Sequence, residues 1–149
     1  MRQAMDIARV SGEAGEVPVG AIVVFGGHVV GSGANAREAT GDPTAHAEVL
    51  ALRGAARARG SWRLEGATMY VTLEPCPMCA GALVMATLSR LVFAAADPKA
   101  GSCGSLYNLC SDPRLNHELE VVPGVLAAEA AVMLSSWFAR RRGVAAPWA

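Results

Sequence analysis

The sequence predicts an α/β fold in which helices cover a mixed β-sheet. Short segments rich in β-branched residues alternate along the chain with longer segments of helical periodicity. An early Gly-Gly dipeptide between two strand-like segments indicates an antiparallel hairpin, whereas a later strand–helix–strand succession favours parallel pairing. The predicted order is α-β-β-α-β-α-β-β-α, so we expect one mixed sheet within one domain over residues 1–149.

The chain opens with a predicted helix and a predicted strand. The apolar side chains of residues 1–11 fall on one helical stripe, and Gly12 follows as a helix-ending residue. Residues 19–25 are mostly β-branched and apolar, which is typical of a strand. Gly26-Gly27 follows as a hairpin turn signal, so the next segment should return alongside the first strand.

A second strand, a loop and a second helix come next. Residues 28–33 form the returning strand, and the polar stretch 35–43 is predicted as a loop. The next helix is expected to run from about 45 to 59. Thr44 or Asp42 is the predicted N-cap, because short oxygen-bearing side chains satisfy the free N–H groups of a first helical turn.

A strand–helix–strand unit occupies the middle of the chain. Residues 67–73 read as a strand, and Pro75-Cys76 interrupts it. Pro77 suits the first position of a helix that continues over 78–88. Residues 91–95 form the next strand, so this unit predicts the parallel part of the sheet.

A long loop, a short strand and a final helix complete the prediction. The loop covers residues 97–114, the strand 119–122 and the helix 125–142. The apolar residues at core spacing on this helix are Leu126, Ala130, Met133 and Trp137.

Composition excludes several broad classes of protein. At 52% apolar and 17% charged residues, the chain is unlike a disordered one. Its apolar runs are shorter than the ~20 residues of a membrane helix, and no signal-peptide pattern follows Met1, so we expect a cytosolic protein. Because 13 basic residues balance 13 acidic ones, any polyanion must bind to local patches such as Arg140–Arg142.

Three residues with metal-ligand chemistry stand near predicted helix starts: His46, Cys76 and Cys79. A catalytic zinc uses three protein ligands and leaves its fourth position to water. Positions three apart lie on one side of a helix, and the N-terminal dipole favours thiolates. The spacing therefore predicts one Zn²⁺ per chain. Taken alone, C-x-x-C is also typical of a redox pair or half of a structural zinc site.

Glu48 is the candidate for proton transfer. It lies two residues after His46, roughly 200° around a regular helix, but looser geometry in a first turn would let its carboxylate reach the open zinc position. A carboxylate there takes a proton from water and returns it to a leaving nitrogen. The combination H-A-E…P-C-x-x-C is typical of zinc-dependent nucleobase deaminases.

Over essentially its whole length the chain resembles the bacterial tRNA-specific adenosine deaminases of the cytidine/deoxycytidylate deaminase superfamily. The zinc motifs mark the superfamily, and segments of the last third mark the tRNA branch. The segments that carry the resemblance are Glu16–Gly20, Asn35, Asp42–Glu48, Tyr70–Cys76, Met78–Gly81, Asp97, Lys99, Gly104–Leu106, Asn116–His117 and Arg140–Arg142.

The resemblance implies a cytidine-deaminase-like three-layer sandwich with a mixed five-stranded sheet. It implies hydrolytic deamination of the wobble adenosine of a tRNA anticodon to inosine by zinc-activated water. His46, Cys76 and Cys79 are then the zinc ligands, and Glu48 is the proton shuttle. The residues expected to contact the anticodon stem-loop are Asn35, Val17, Asp97, Lys99, Arg140, Arg141 and Arg142. A homodimer without an organic cofactor is also implied.

Simpler interpretations compete with these assignments. Asn35 could serve as a turn residue, Val17 could pack a loop onto a strand, and Arg140–Arg142 could be a solvated helix end. Cys103 and Cys110 are expected to be thiols outside any metal site. Two rival functions are a guanine or cytosine deaminase of the same superfamily and a non-catalytic zinc-stabilised RNA-binding module. A carboxylate beside an open zinc position argues against the second rival.

Overall fold

The computed structural model describes residues 1–143 and contains five α-helices and five strands in that range. The helices are α1 (Arg2–Glu13), α2 (Arg37–Thr40), α3 (Ala47–Arg59), α4 (Pro77–Met85) and α5 (Ala127–Arg142). The strands are β1 (Gly20–Phe25), β2 (His28–Ala34), β3 (Thr68–Leu73), β4 (Arg90–Ala95) and β5 (Glu120–Pro123). The predicted order of long helices and strands is confirmed.

All five strands form one sheet in the order β2-β1-β3-β4-β5. β1 pairs antiparallel with both β2 and β3, whereas β3–β4 and β4–β5 are parallel. The prediction of a mixed sheet is therefore confirmed. α1 and α5 pack on one face of the sheet, and α3 and α4 cover the other. The carboxyl end of β3 leads directly into the segment that starts α4.

Glycines in the hairpin let two helices lie close to the sheet. A Cβ atom on Gly20 would lie 2.2 Å from the carbonyl oxygen of Ala4 in α1. A Cβ on Gly33 would lie 2.2 Å from the carbonyl oxygen of Ala47 in α3. Because real Cβ contacts are never so short, these positions require glycine. The close approach at Gly33 places the first turn of α3, and so the side chains of that turn, against the sheet.

The segment 35–43 contains the short helix α2, although it was predicted as a loop. The buried Glu16 carboxylate accepts hydrogen bonds from the backbone N–H groups of Glu38 (3.3 Å) and Ala39 (2.7 Å). An acceptor that is remote in sequence thus satisfies the N–H groups at the start of this helix. Nothing in the local pattern indicates this contact.

The predicted N-cap of α3 is wrong. Asp42 Oδ1 accepts hydrogen bonds from the backbone N–H (2.8 Å) and the hydroxyl (2.7 Å) of Thr44, so it closes a turn before the helix. The helix begins two residues later than predicted, at Ala47, and His46 occupies the N-cap position. α4 ends at Met85, three residues earlier than predicted, because Thr87 adopts φ 56° and the chain turns towards β4.

The last helix packs as its spacing predicts. Ala130 and Trp137 are buried, and Leu126 and Met133 are partly buried beside them. The Trp137 indole N–H donates to the carbonyl oxygen of Gly12 (3.1 Å), which joins α5 to α1. None of the helices described in residues 1–143 has the length and apolar character needed to cross a membrane.

Candidate active site

His46, Cys76 and Cys79, the ligand set that the family resemblance implies, lie close together in the structure. His46 Nδ1 lies 3.7 Å from Cys76 Sγ and 3.4 Å from Cys79 Sγ. All three potential ligand atoms lie within 4.8 Å of one another. Within residues 1–143 this is the single group of three or more His, Cys, Asp or Glu side chains so arranged.

Two helix N-termini create this cluster. His46 precedes α3 and Cys76 precedes α4, and both have extended backbone conformations with ψ of 149° and 174°. Cys79 lies in the first turn of α4, one turn beyond Cys76. Each helix start therefore contributes side chains and free backbone N–H groups to one point, where the two positive dipole ends favour thiolates.

The cluster fits a zinc ion. Ligands of one tetrahedral zinc at 2.0–2.3 Å lie about 3.5–3.8 Å apart, close to the distances between His46 and the two cysteines. A hydrogen bond from the Cys79 thiol, aided by helix N–H groups and by His46, lowers the pKa of Cys76 to about 5. The pKa of Cys79 is raised because its hydrogen is shared with Cys76. The imidazole of His46, the Cys76 thiol, which ionises readily, and the Cys79 sulfur together form a donor set suited to zinc.

Glu48 lies in the first turn of α3 and is only 4% exposed. Burial raises the pKa of its carboxyl group to about 7. The side chain lines the same cavity as His46 and Cys76, so the looser first-turn geometry brings it to the metal-ligand side of the helix. A carboxylate that titrates near neutrality is suited to accepting and returning protons.

The cavity beside these residues has a volume of about 190 Å³. Val17, Asn35 and Asp97 are among the residues that line it. The structure therefore brings three of the predicted substrate contacts together with Glu48 and the metal ligands.

Comparison with known proteins identifies the family of this chain. A family model described as MafB19-like deaminase matches residues 1–134. A tRNA-specific adenosine deaminase of Bacillus subtilis is 49% identical over 142 residues, which cover 95% of this chain and 88% of the relative. The chain belongs to the family of the tRNA-specific adenosine deaminases.

Two solved structures extend the comparison. A structure from a study of A-to-I editing by tRNA:A34 deaminases at the wobble position has a TM-score of 0.86 and 42% identity, covering 90% of this deaminase and 97% of its own chain. A guanine deaminase of Bacillus subtilis has a TM-score of 0.63 and 30% identity, covering 95% and 90% of the two chains. The deaminase therefore has the cytidine-deaminase-like fold that the sequence predicts.

Asn35 of the deaminase is 8% exposed, and its side-chain Nδ2 donates to the carbonyl oxygen of Val17 (3.3 Å). Its Oδ1 is buried and has no hydrogen-bond partner within residues 1–143. A buried acceptor without a partner costs stability. Because Asn35 also lines the cavity, it belongs to the site and is more than a turn residue.

The other predicted RNA contacts, Lys99 and Arg140–Arg142, are not among the residues that line the cavity, and Lys99 lies on the loop that begins at Asp97. Asp97 Oδ1 accepts the backbone N–H groups of Lys99 (2.9 Å) and Ala100 (3.3 Å), which turns the loop. Lys99 is exposed on that loop. Arg140–Arg142 are exposed in the last turn of α5, and Arg140 and Arg141 line a separate cleft of about 420 Å³.

Two charged residues of the deaminase line the cavity without having been given a role by sequence reasoning: Arg37 and Glu74. Glu74 stands directly before Pro75 and Cys76, and it is only 2% exposed. The sequence did contain a signal for Glu74, because an acidic residue there lies between the end of a predicted strand and the Pro75-Cys76 motif. Arg37 has no comparable signal, because the helix that carries it was not predicted.

Proposed function

We propose that this deaminase hydrolyses the 6-amino group of the wobble adenosine in a tRNA anticodon and leaves inosine. One observation carries the chemistry: the buried Glu48 carboxylate shares a cavity with the ligand set formed by His46, Cys76 and Cys79. A structural metal site would gain nothing from an acid in that place. The names of the B. subtilis relative and of the tRNA:A34 deaminase support adenosine in tRNA as the substrate.

The chain's own residues account for the proton transfers. Held by His46, Cys76 and Cys79, zinc would supply a Lewis acid that lowers the pKa of water. Glu48 accepts one proton as the water oxygen attacks C6 of the base and passes it to the ring nitrogen N1. It then accepts the second proton of that oxygen and donates it to the 6-amino group, which leaves as ammonia when the C6–N bond breaks. The balanced reaction consumes adenosine and water and yields inosine and ammonia. A pKa raised to about 7 suits both directions of transfer.

Asn35 and Val17 would orient the substrate. The free Oδ1 of Asn35 can accept a hydrogen bond from an N–H or O–H group of the base or its ribose. Val17 offers an apolar side chain on the same wall. Because an anticodon loop is single-stranded, a base can leave the stack and enter such a cavity at little cost in pairing energy.

The RNA backbone would be bound by a few exposed cations. The cleft that includes Arg140 and Arg141 is separate from the cavity, but Pro18, which lines the cleft, directly follows Val17, which lines the cavity. Arg141 is also held by the protein, since its guanidinium lies 4.3 Å from the centre of the Trp137 ring and donates to the carbonyl oxygen of Gly15. Arg140 and Arg142 are therefore the better probes of phosphate binding.

Replacing Arg140 and Arg142 together with alanine is expected to weaken binding of an anticodon stem-loop and to flatten its salt dependence. Each lost phosphate contact should reduce the slope of log affinity against log salt by about 0.7. A salt titration measures the slope. The control is Arg57→Ala, an exposed arginine of α3. Identical slopes for wild type and the double variant would leave these arginines as a solvated helix end.

The proposal extends to a homodimer and to a cytoplasmic location, where tRNA is found. An apolar cleft of about 480 Å³ on the α3–α4 side is the surface best suited to a second copy, with Trp62 60% and Met85 68% exposed. Sedimentation equilibrium tests this part, and a monomer at micromolar concentration would contradict it. Analysis of nucleosides after incubation with tRNA tests the reaction itself, and inosine is the expected product.

A further inference from the structure

The buried Glu74 carboxylate organises the loop that follows β4. Its Oε1 accepts the backbone N–H groups of Cys103 (3.0 Å) and Ser105 (2.9 Å). Its Oε2 accepts the backbone N–H of Asp97 (2.9 Å) and the hydroxyl of Ser105. A carboxylate offers about four acceptor sites, so the four donors of this one loop occupy the group.

The loop is shaped around this carboxylate. A Cβ atom on Gly101 would lie 2.3 Å from Glu74 Oε2 and 2.5 Å from the carbonyl oxygen of Asp97, so no larger residue fits there. The backbone N–H of Ser102 also donates to the carbonyl oxygen of Pro75 (2.9 Å). Residues 97–105, which we call the 97–105 loop, are therefore attached to the segment that carries Cys76.

We propose that Glu74 is a positioning residue that fixes the 97–105 loop as one wall of the substrate site. The loop places Asp97 at the cavity and Lys99 at the exposed surface beside it. Since all four acceptor sites of Glu74 serve the loop, its contribution is to the presentation of these two residues and not to proton transfer. This inference rests on the proposed function, because it assigns the wall to the RNA substrate.

The test compares Glu74→Gln with Glu65→Gln, which changes an exposed carboxylate in the turn before β3. The amide introduced by Glu74→Gln would turn an N–H₂ group towards donors that now bind Oε1 or Oε2, so two or more hydrogen bonds are lost without a change of shape. Hydrogen exchange of the loop amides reports on loop order, and zinc content reports on the metal site. Steady-state kinetics with an anticodon stem-loop separate KM from kcat.

We expect Glu74→Gln to keep its zinc, to exchange the amides of the 97–105 loop faster, and to raise KM about tenfold with kcat within about threefold of wild type. Glu65→Gln should match wild type. Unchanged exchange, or faster exchange with unchanged KM, would overturn the inference. A fall in kcat with KM unchanged would also overturn it, because Glu74 would then act at the reacting atoms.

Ser105→Ala keeps the test decisive if Glu74→Gln does not fold. Ser105 is exposed, and its hydroxyl contributes one of the four hydrogen bonds to Glu74. We expect a smaller rise in KM, about threefold, with local exchange faster at the same amides. Failure of the proposed function is distinguishable, since wild type would then be inactive on RNA while the exchange measurement would still report whether Glu74 holds the loop.

Discussion

Glu48→Gln is expected to keep one zinc per chain and normal affinity for an anticodon stem-loop, while turnover falls by about 10²–10⁴-fold. The side chain is 4% exposed and lies in the cavity with His46 and Cys76. Glutamine has the same shape, so the fold and the ligand set should persist. An amide neither accepts nor donates the proton that the reaction moves. Single-turnover kinetics at saturating enzyme measure the effect.

Two further measurements make the Glu48 result specific. The exposed Glu65→Gln serves as the control and should retain full activity. Stem-loop binding to Glu48→Gln should equal that of wild type, which shows that the loss concerns the chemical step. If the turnover of Glu48→Gln were within threefold of wild type, Glu48 would not be the residue that transfers the protons.

His46→Ala and Cys79→Ala are expected to lose zinc and, with it, all measurable deamination. The three ligand atoms lie within 4.8 Å of one another, and each substitution leaves two of them. Two protein ligands cannot hold zinc with the affinity of three. Glu48 lines the cavity but is not part of the ligand cluster, so we do not expect it to replace the lost ligand. Metal analysis of dialysed protein, reported per chain, measures the loss.

The control for zinc binding is Cys103→Ala. Cys103 is buried, as Cys79 is, but its Sγ lies 3.6 Å from Cys110 Sγ and outside the ligand set. This variant should keep its zinc even if it is somewhat less stable, because removing a buried side chain leaves a cavity. A full complement of tightly held zinc in His46→Ala or Cys79→Ala would rule out the assigned ligands.

The local patterns in the sequence were sufficient for the mixed sheet and for the convergence of the two cysteines. β1 and β2 are joined by Gly26-Gly27, and that turn signal sets their antiparallel pairing. Cys76 and Cys79 are three residues apart at a helix start, so their convergence follows from helix geometry alone. The approach of His46 to them depends on packing of α3 against the sheet, which the family resemblance supplied and spacing did not.

The features that sequence reasoning missed depend on contacts between distant segments. α2 begins where Glu16 satisfies its backbone N–H groups, 22 and 23 residues away in sequence. The N-cap of α3 is His46 and not Asp42, because the Asp42 carboxylate accepts the backbone N–H of Thr44 in the turn before the helix. Glu74 reaches donors as far along the chain as Ser105, and only the folded sheet brings strand end and loop together.

One product analysis tests the central claim most directly. The protein is incubated separately with an unmodified anticodon stem-loop that carries adenosine at the wobble position, with free guanine and with free cytosine. The products are then separated and identified. We expect inosine at the wobble position of the RNA, no xanthine or uracil from the free bases, and no product with Glu48→Gln. Xanthine from guanine, with the stem-loop left unchanged, would contradict the account and identify a guanine deaminase instead.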